Sequence, residues 1–97
     1  MKREANALSL EVDLSKFSLT VGYRYATVDT ASQLGLTGWV RNLPDGRVEA
    51  VFEGAPEIVE EIIHWCHAGP PAAIVQDVAV EYEHPEGLPG FEVKRVV

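Results

Sequence analysis

The sequence predicts an α+β fold in the order βαββαβ, extended by a short C-terminal strand, with two helices packed on one face of a mainly antiparallel sheet. Three observations support this prediction. Apolar and polar residues alternate in several stretches, which is typical of strands with one buried face. Two other segments carry apolar residues at helical spacing. A proline-aspartate-glycine sequence at positions 44–46 indicates a tight hairpin between the middle strands.

The first strand and the first helix follow from two different spacings of apolar residues. Every second residue is apolar from Leu8 to Leu14, which predicts the first strand. The apolar positions change parity from Phe17 onward, so we expect a bend near Ser15. Helical spacing predicts the first helix from Tyr23 to Leu34, and Gly35 stands where a left-handed helix cap is expected.

The second half of the chain repeats the alternation of strands and helix. The hairpin strands are predicted at Thr37–Asn42 and Arg47–Glu53. A second helix begins near Pro56, because proline fits the first turn, and ends at Gly69. The remaining strands are predicted at Val78–Tyr82 and at Phe91–Val93. This order of elements is that of a ferredoxin-like sandwich.

Composition limits the size of the protein and its partners. A chain of 97 residues, 46% of them hydrophobic, fits a single domain over residues 1–97, with residues 1–6 expected to be flexible. The net charge of −7 argues against nucleic acid or an anionic membrane as a partner. Cys66 is the only cysteine, and no apolar run is long enough for a signal peptide or a membrane helix. We therefore expect a monomer in the cytoplasm.

Two polar residues suggest anion chemistry. Residues 15–22 join a strand to a helix, where backbone N–H groups can surround an anion. Arg24 follows in the first predicted turn, and its guanidinium can bind two phosphate oxygens at once. Asn42 ends the second strand, and its amide can accept a hydrogen bond from water while donating to an oxyanion. Considered alone, Arg24 as a surface charge and Asn42 as a turn residue remain open alternatives.

A metal site is not expected. His64, Cys66 and His67 lie close together in the second predicted helix, but Cys66 belongs to its apolar stripe. Histidines three positions apart form an incomplete ligand set. We therefore interpret Cys66 as a small core residue.

The segment around Asn42 resembles the acylphosphatase signature. Its residues are Gly38-Trp39-Val40-Arg41-Asn42, followed by Gly46, Val48 and Gly54. The similarity extends over roughly residues 21–93 and includes Gly69-Pro70-Pro71 and Gly90-Phe91-Glu92-Val93.

This resemblance implies hydrolysis of the carboxyl-phosphate bond of small acyl phosphates. By analogy with the family, Arg24 binds the phosphate and Asn42 positions the attacking water, with no metal or organic cofactor. The expected partners are an acyl phosphate, phosphate or another small anion. The predicted substrate-binding residues are Leu19, Thr20, Val21, Gly22 and Tyr23.

The segment before Arg24 departs from the family pattern. The usual loop reads Gly-x-Val-Gln-Gly-Val-x-Phe-Arg, whereas the counterpart from Lys16 to Arg24 lacks both loop glycines. Phe17–Val21 can therefore be part of a working phosphate loop, or instead an extended strand, an exposed apolar patch or an aggregation-prone segment. The alternative function is a catalytically impaired acylphosphatase-like domain that binds anions or a protein. A ferredoxin-like RNA binder is a third hypothesis, but the sequence lacks a basic face and clustered aromatics.

Overall fold

A computed structural model describes residues 5–15 and 20–95, and within these residues five strands and two helices form one layer each. The elements in chain order are β1 (Asn6–Leu14), α1 (Thr20–Gln33), β2 (Thr37–Asn42), β3 (Val48–Gly54), α2 (Pro56–Ala68), β4 (Val75–Glu83) and β5 (Phe91–Val93). The predicted fold class is confirmed. Of the segment expected to be flexible, residues 1–4 lie outside the described residues, and Asn6 already belongs to β1.

The sheet has the strand order β4-β1-β3-β2-β5. Neighbouring strands are antiparallel except β2 and β5, which are parallel. The hydrophobic core lies between the sheet and the helices, because alternate residues of the inner strands are buried on that side. These inward residues include Leu8, Leu10 and Val12 of β1, Val40 of β2, and Val48, Ala50 and Phe52 of β3. Helix α2 buries Val59, Ile62 and Cys66 against them.

Two of the predicted turns, at Gly46 and at Gly35, are confirmed. Gly46 at the tip of the β2–β3 hairpin has a φ of 91°, and the Leu43 N–H donates to the Arg47 carbonyl at 2.8 Å. Gly35 has a φ of 73°, the left-handed conformation expected just after a helix. Both positions favour glycine because a Cβ destabilises positive φ.

The start of helix α1 differs from the prediction. The helix begins at Thr20 rather than at Tyr23, so the C-terminal part of the predicted loop, residues 20–22, is already helical. The sequence concealed this because two β-branched residues and Gly22 have low helix propensity. Tyr23, which is buried in the core, provides the tertiary packing that outweighs this propensity. Thr20 and Val21 are therefore not part of an extended segment; residues 16–19 lie outside the described residues.

The loop between β4 and β5 folds back over the sheet face that lacks helices, and the Glu53 carboxylate binds it there. Oε2 accepts the Glu86 N–H at 2.8 Å, while Oε1 accepts the N–H groups of Gly87 at 3.0 Å and Leu88 at 3.2 Å. Glu53 follows the core residue Phe52 and so lies on the opposite face of the sheet, yet only 5% of the residue is exposed because this loop covers it. Charge-assisted hydrogen bonds to three consecutive N–H groups give this loop its path.

Replacing Glu53 with glutamine is expected to lower the free energy of unfolding by about 1–3 kcal/mol, because the neutral amide satisfies fewer of these three N–H donors. Urea denaturation measures the change, and hydrogen exchange at residues 86–88 should accelerate. The matched control is Glu83→Gln, an exposed acid near the same loop, which should alter stability by less than about 0.5 kcal/mol. Equal effects of both substitutions would contradict the proposed role of the Glu53 carboxylate.

Candidate active site

Three chain segments meet at one end of the sheet. Val12 of β1 and Asn42 of β2 both pair with Val48 at the start of β3. The C-terminal ends of β1 and β2 therefore flank the first residue of β3. Helix α1 follows β1 and packs against β2, so its first turns lie at the same end. The fold thus brings the helix turn that carries Arg24 to the end of the sheet that carries Asn42.

Asn42 belongs to the helix-covered side of β2. Gly38 and Val40 are buried toward the helices, and residues two positions apart share a face. The side-chain Oδ1 of Asn42 is buried and has no hydrogen-bond partner among the described residues. Because a buried polar atom without a partner costs free energy, such an atom suggests an external donor.

Arg24 shows the same feature. Its Nε is buried and also lacks a hydrogen-bond partner in the described part of the chain. The guanidinium carbon lies 5.3 Å from the centre of the Tyr25 ring, within the range of a cation–π interaction. Tyr25 is not among the site residues predicted from the sequence, although its position directly after Arg24 was an available signal. A cation–π contact uses none of the guanidinium N–H donors, so these donors can still bind an anion.

Tyr23 anchors this part of helix α1 to helix α2. Its hydroxyl donates to the Cys66 carbonyl at 2.7 Å, and its ring lies 5.6 Å from that of Trp65. Burial raises the pKa of the Tyr23 phenol, and burial also raises the pKa of the Cys66 thiol to about 12, so both stay protonated near neutral pH. Of the predicted substrate-binding residues, Tyr23 therefore has its side chain in the core and only its backbone near the helix start.

The other predicted substrate-binding residues lie at the N-terminus of helix α1. Thr20, Val21 and Gly22 form its first turn. First-turn N–H groups have no intrahelical acceptor and carry the positive end of the helix dipole. None of the described residues other than glycine has a positive φ, so Thr20 is free of the strain that a positive φ would impose. Leu19 and Lys16 lie outside the described residues.

Residues 20–93 match the family model described as Acylphosphatase. The chain belongs to the acylphosphatase family. A relative named acylphosphatase in Trichormus variabilis is 86% identical over 77 residues, which are 79% of this chain and 76% of the relative. A second acylphosphatase, from Gloeobacter violaceus, is 60% identical over 75 residues, or 77% of this chain and 81% of the relative.

Solved acylphosphatases also share the fold. The crystal structure from Bacillus subtilis superimposes with a TM-score of 0.84 at 30% identity, covering 92% of this chain and 98% of that one. The structure from Coxiella burnetii gives a TM-score of 0.78 at 34% identity, with coverage of 92% and 94%. These matches confirm the predicted family and the predicted class of enzyme. The roles of individual residues stay predictions.

Two other arginines of the described residues lie near this end of the sheet, and each is paired with an acid. Arg41 Nε lies 2.6 Å from Glu49, and Arg47 Nε lies 2.8 Å from Asp45, so both guanidinium groups are neutralised locally. The described residues contain no group of three His, Cys, Asp or Glu side chains arranged to hold a metal ion. Neither helix of the described residues has the length and apolar character needed to cross a membrane.

Proposed function

We propose that this chain hydrolyses acyl phosphates to a carboxylate and inorganic phosphate, using Arg24 to bind the phosphate and Asn42 to position water. The supporting observation is the pair of unpartnered buried atoms, Arg24 Nε and Asn42 Oδ1, on segments that meet at one end of the sheet. One atom is a hydrogen-bond donor and the other an acceptor. An anion and a water molecule are the complementary ligands.

The phosphoryl group would lie against the first turn of helix α1. The Arg24 guanidinium and the N–H groups of that turn donate to its non-bridging oxygens. Negative charge on these oxygens is redistributed as the bond to the leaving group breaks, and fixed donors stabilise the transition state without reorganising. This arrangement supplies positioning and charge stabilisation together.

Water attacks phosphorus in line with the bond to the leaving carboxylate. Asn42 Oδ1 accepts one water hydrogen bond and so orients the lone pair toward phosphorus. A new P–O bond forms, the bond between phosphorus and the acyl oxygen breaks, and its electron pair leaves on the carboxylate. Because a carboxylate is a weak base, its departure needs no strong general acid. A phosphate oxygen takes the water proton.

We place this reaction in the cytoplasm and expect the protein to act as a monomer. The free Cys66 thiol is compatible with a reducing compartment. Size-exclusion chromatography with light scattering tests the expected mass, and cell fractionation tests the location. A stable dimer or a membrane-bound fraction would contradict these expectations.

Hydrolysis of benzoyl phosphate in ¹⁸O-labelled water tests the proposed reaction. Attack on phosphorus places the label in inorganic phosphate, whereas attack on the carbonyl carbon places it in benzoate. We expect turnover well above the buffer rate, with label in phosphate alone. Turnover equal to that of buffer would overturn the proposed function, and label in benzoate would overturn the proposed step.

Replacing Asn42 with alanine is expected to lower kcat about 10²-fold, because the attacking water loses its acceptor. The inhibition constant of phosphate should change by less than about threefold, since Arg24 and the helix turn remain. Steady-state kinetics with phosphate as inhibitor measures both values, and urea denaturation checks that the hairpin is intact. A kcat near that of the parent protein would show that Asn42 is only a turn residue.

A further inference from the structure

We propose that Arg95 is a second phosphate-binding cation of the same site, lying beside Asn42 and selecting ligands with two negative charges. This inference rests on the proposed function. Arg95 follows strand β5 and is exposed.

The register of strands β2 and β5 places Arg95 next to Asn42. Gly38 pairs with Phe91 and Val40 pairs with Val93 in this parallel ladder. The ladder continues past the strand, because the Lys94 N–H donates to the Val40 carbonyl at 2.9 Å. One further residue brings Arg95 alongside Asn42, at the usual strand spacing of about 4.8 Å.

The alternation of side chains along the chain places Arg95 on the helix-covered face of the sheet. Phe91 stacks on the core residue Phe52, with ring centres 5.5 Å apart, so it faces the helices. The Lys94 ammonium lies 4.7 Å from the centre of the Trp39 ring on the opposite face. Successive residues of an extended chain point to opposite sides. Arg95 therefore projects on the side of the sheet that Asn42 and helix α1 share.

Within residues 5–15 and 20–95, no carboxylate competes with an anion for this arginine. The chain has 15 acidic residues for 8 basic ones, yet no carboxylate of a described residue forms an ion pair with Arg24 or Arg95. Two guanidinium groups that no described carboxylate neutralises create a local positive field at one end of the sheet, in an otherwise acidic molecule. A phosphoryl dianion carries the charge that matches both.

The test compares the binding of phenylphosphonate, which is doubly charged at pH 8.5, with that of benzenesulfonate, which carries one charge. Isothermal titration calorimetry gives both dissociation constants for the parent, Arg95→Gln and Lys94→Gln proteins. Lys94→Gln is the matched control, because it removes one positive charge from the adjacent residue on the opposite face. The Kd ratio of sulfonate to phosphonate measures selectivity for the dianion.

We expect Arg95→Gln to reduce this ratio about tenfold, as is typical of losing one charge-assisted hydrogen bond. Lys94→Gln should change it less than twofold, and Arg95→Lys should recover part of it. An unchanged ratio in Arg95→Gln would overturn the inference, as would equal losses in Arg95→Gln and Lys94→Gln. Because binding is measured without turnover, a parent protein that binds phosphonate but fails to hydrolyse benzoyl phosphate would overturn the proposed function alone. A parent protein that binds neither anion would overturn both.

Discussion

Replacing Arg24 with glutamine is expected to lower kcat/KM for benzoyl phosphate about 10³-fold, because a planar cation that contacts the transferred phosphoryl group contributes at least this much in related reactions. Glutamine retains hydrogen-bond donors but neither the charge nor the fork that binds two oxygens. The inhibition constant of phosphate should rise by at least about tenfold, in contrast to Asn42→Ala. Arg24 thus differs from Asn42 in contributing to binding as well as to chemistry.

Arg47→Gln is the matched control for Arg24→Gln. Arg47 lies at the same end of the sheet, but its guanidinium is bound by Asp45 and Glu11. Both substitutions remove one positive charge, so a purely long-range electrostatic effect would be similar in the two proteins. We expect Arg47→Gln to retain kcat/KM within about threefold, because exposed ion pairs contribute little. Comparable activity of Arg24→Gln and the parent protein would contradict phosphate binding by Arg24.

Replacing Gly38 with alanine is expected to destabilise the fold by about 3–5 kcal/mol, through backbone strain and overpacking together. Gly38 has a φ of 139°, and a Cβ built there would lie 1.8 Å from the Val51 carbonyl oxygen. Its N–H also donates to the Gly90 carbonyl at 2.8 Å, so strand β2 has little room to shift. Since small domains are stable by only about 5–15 kcal/mol, this loss would leave a substantial unfolded population.

Urea denaturation followed by tryptophan fluorescence measures this loss. The matched control is Gly90→Ala, at the other end of the same hydrogen bond. A Cβ on Gly90 meets no atom within 4 Å and its φ is not positive, so we expect a change below about 1 kcal/mol. Equal stability of the Gly38→Ala and Gly90→Ala proteins would contradict the close approach of strand β2 to strand β3 at Gly38.

Local sequence patterns predicted the presence of the helices and strands better than the residues at which they begin and end. The alternation from Leu8 to Leu14 and the apolar stripe of helix α2 predicted both elements closely, because burial of one face imposes a period of 2 or of 3.6 residues. Helix α1 was placed three residues too late, because the propensity of Thr20 and Val21 opposes the helix. Packing of Tyr23 against helix α2 decides its start, and that contact joins residues 43 positions apart.

The sequence alone determined the fold class, the family, and the residue types that suit phosphate chemistry, because periodicity and the motif around Asn42 are local properties of the chain. Tertiary structure alone decided that Glu53 binds a loop and that buried atoms of Arg24 and Asn42 lack partners. Tertiary structure likewise decided that strand β5 runs beside β2 in the register from which the role of Arg95 is proposed. These features depend on which distant segments become neighbours, and burial and unmet hydrogen bonds exist only after those neighbours are set.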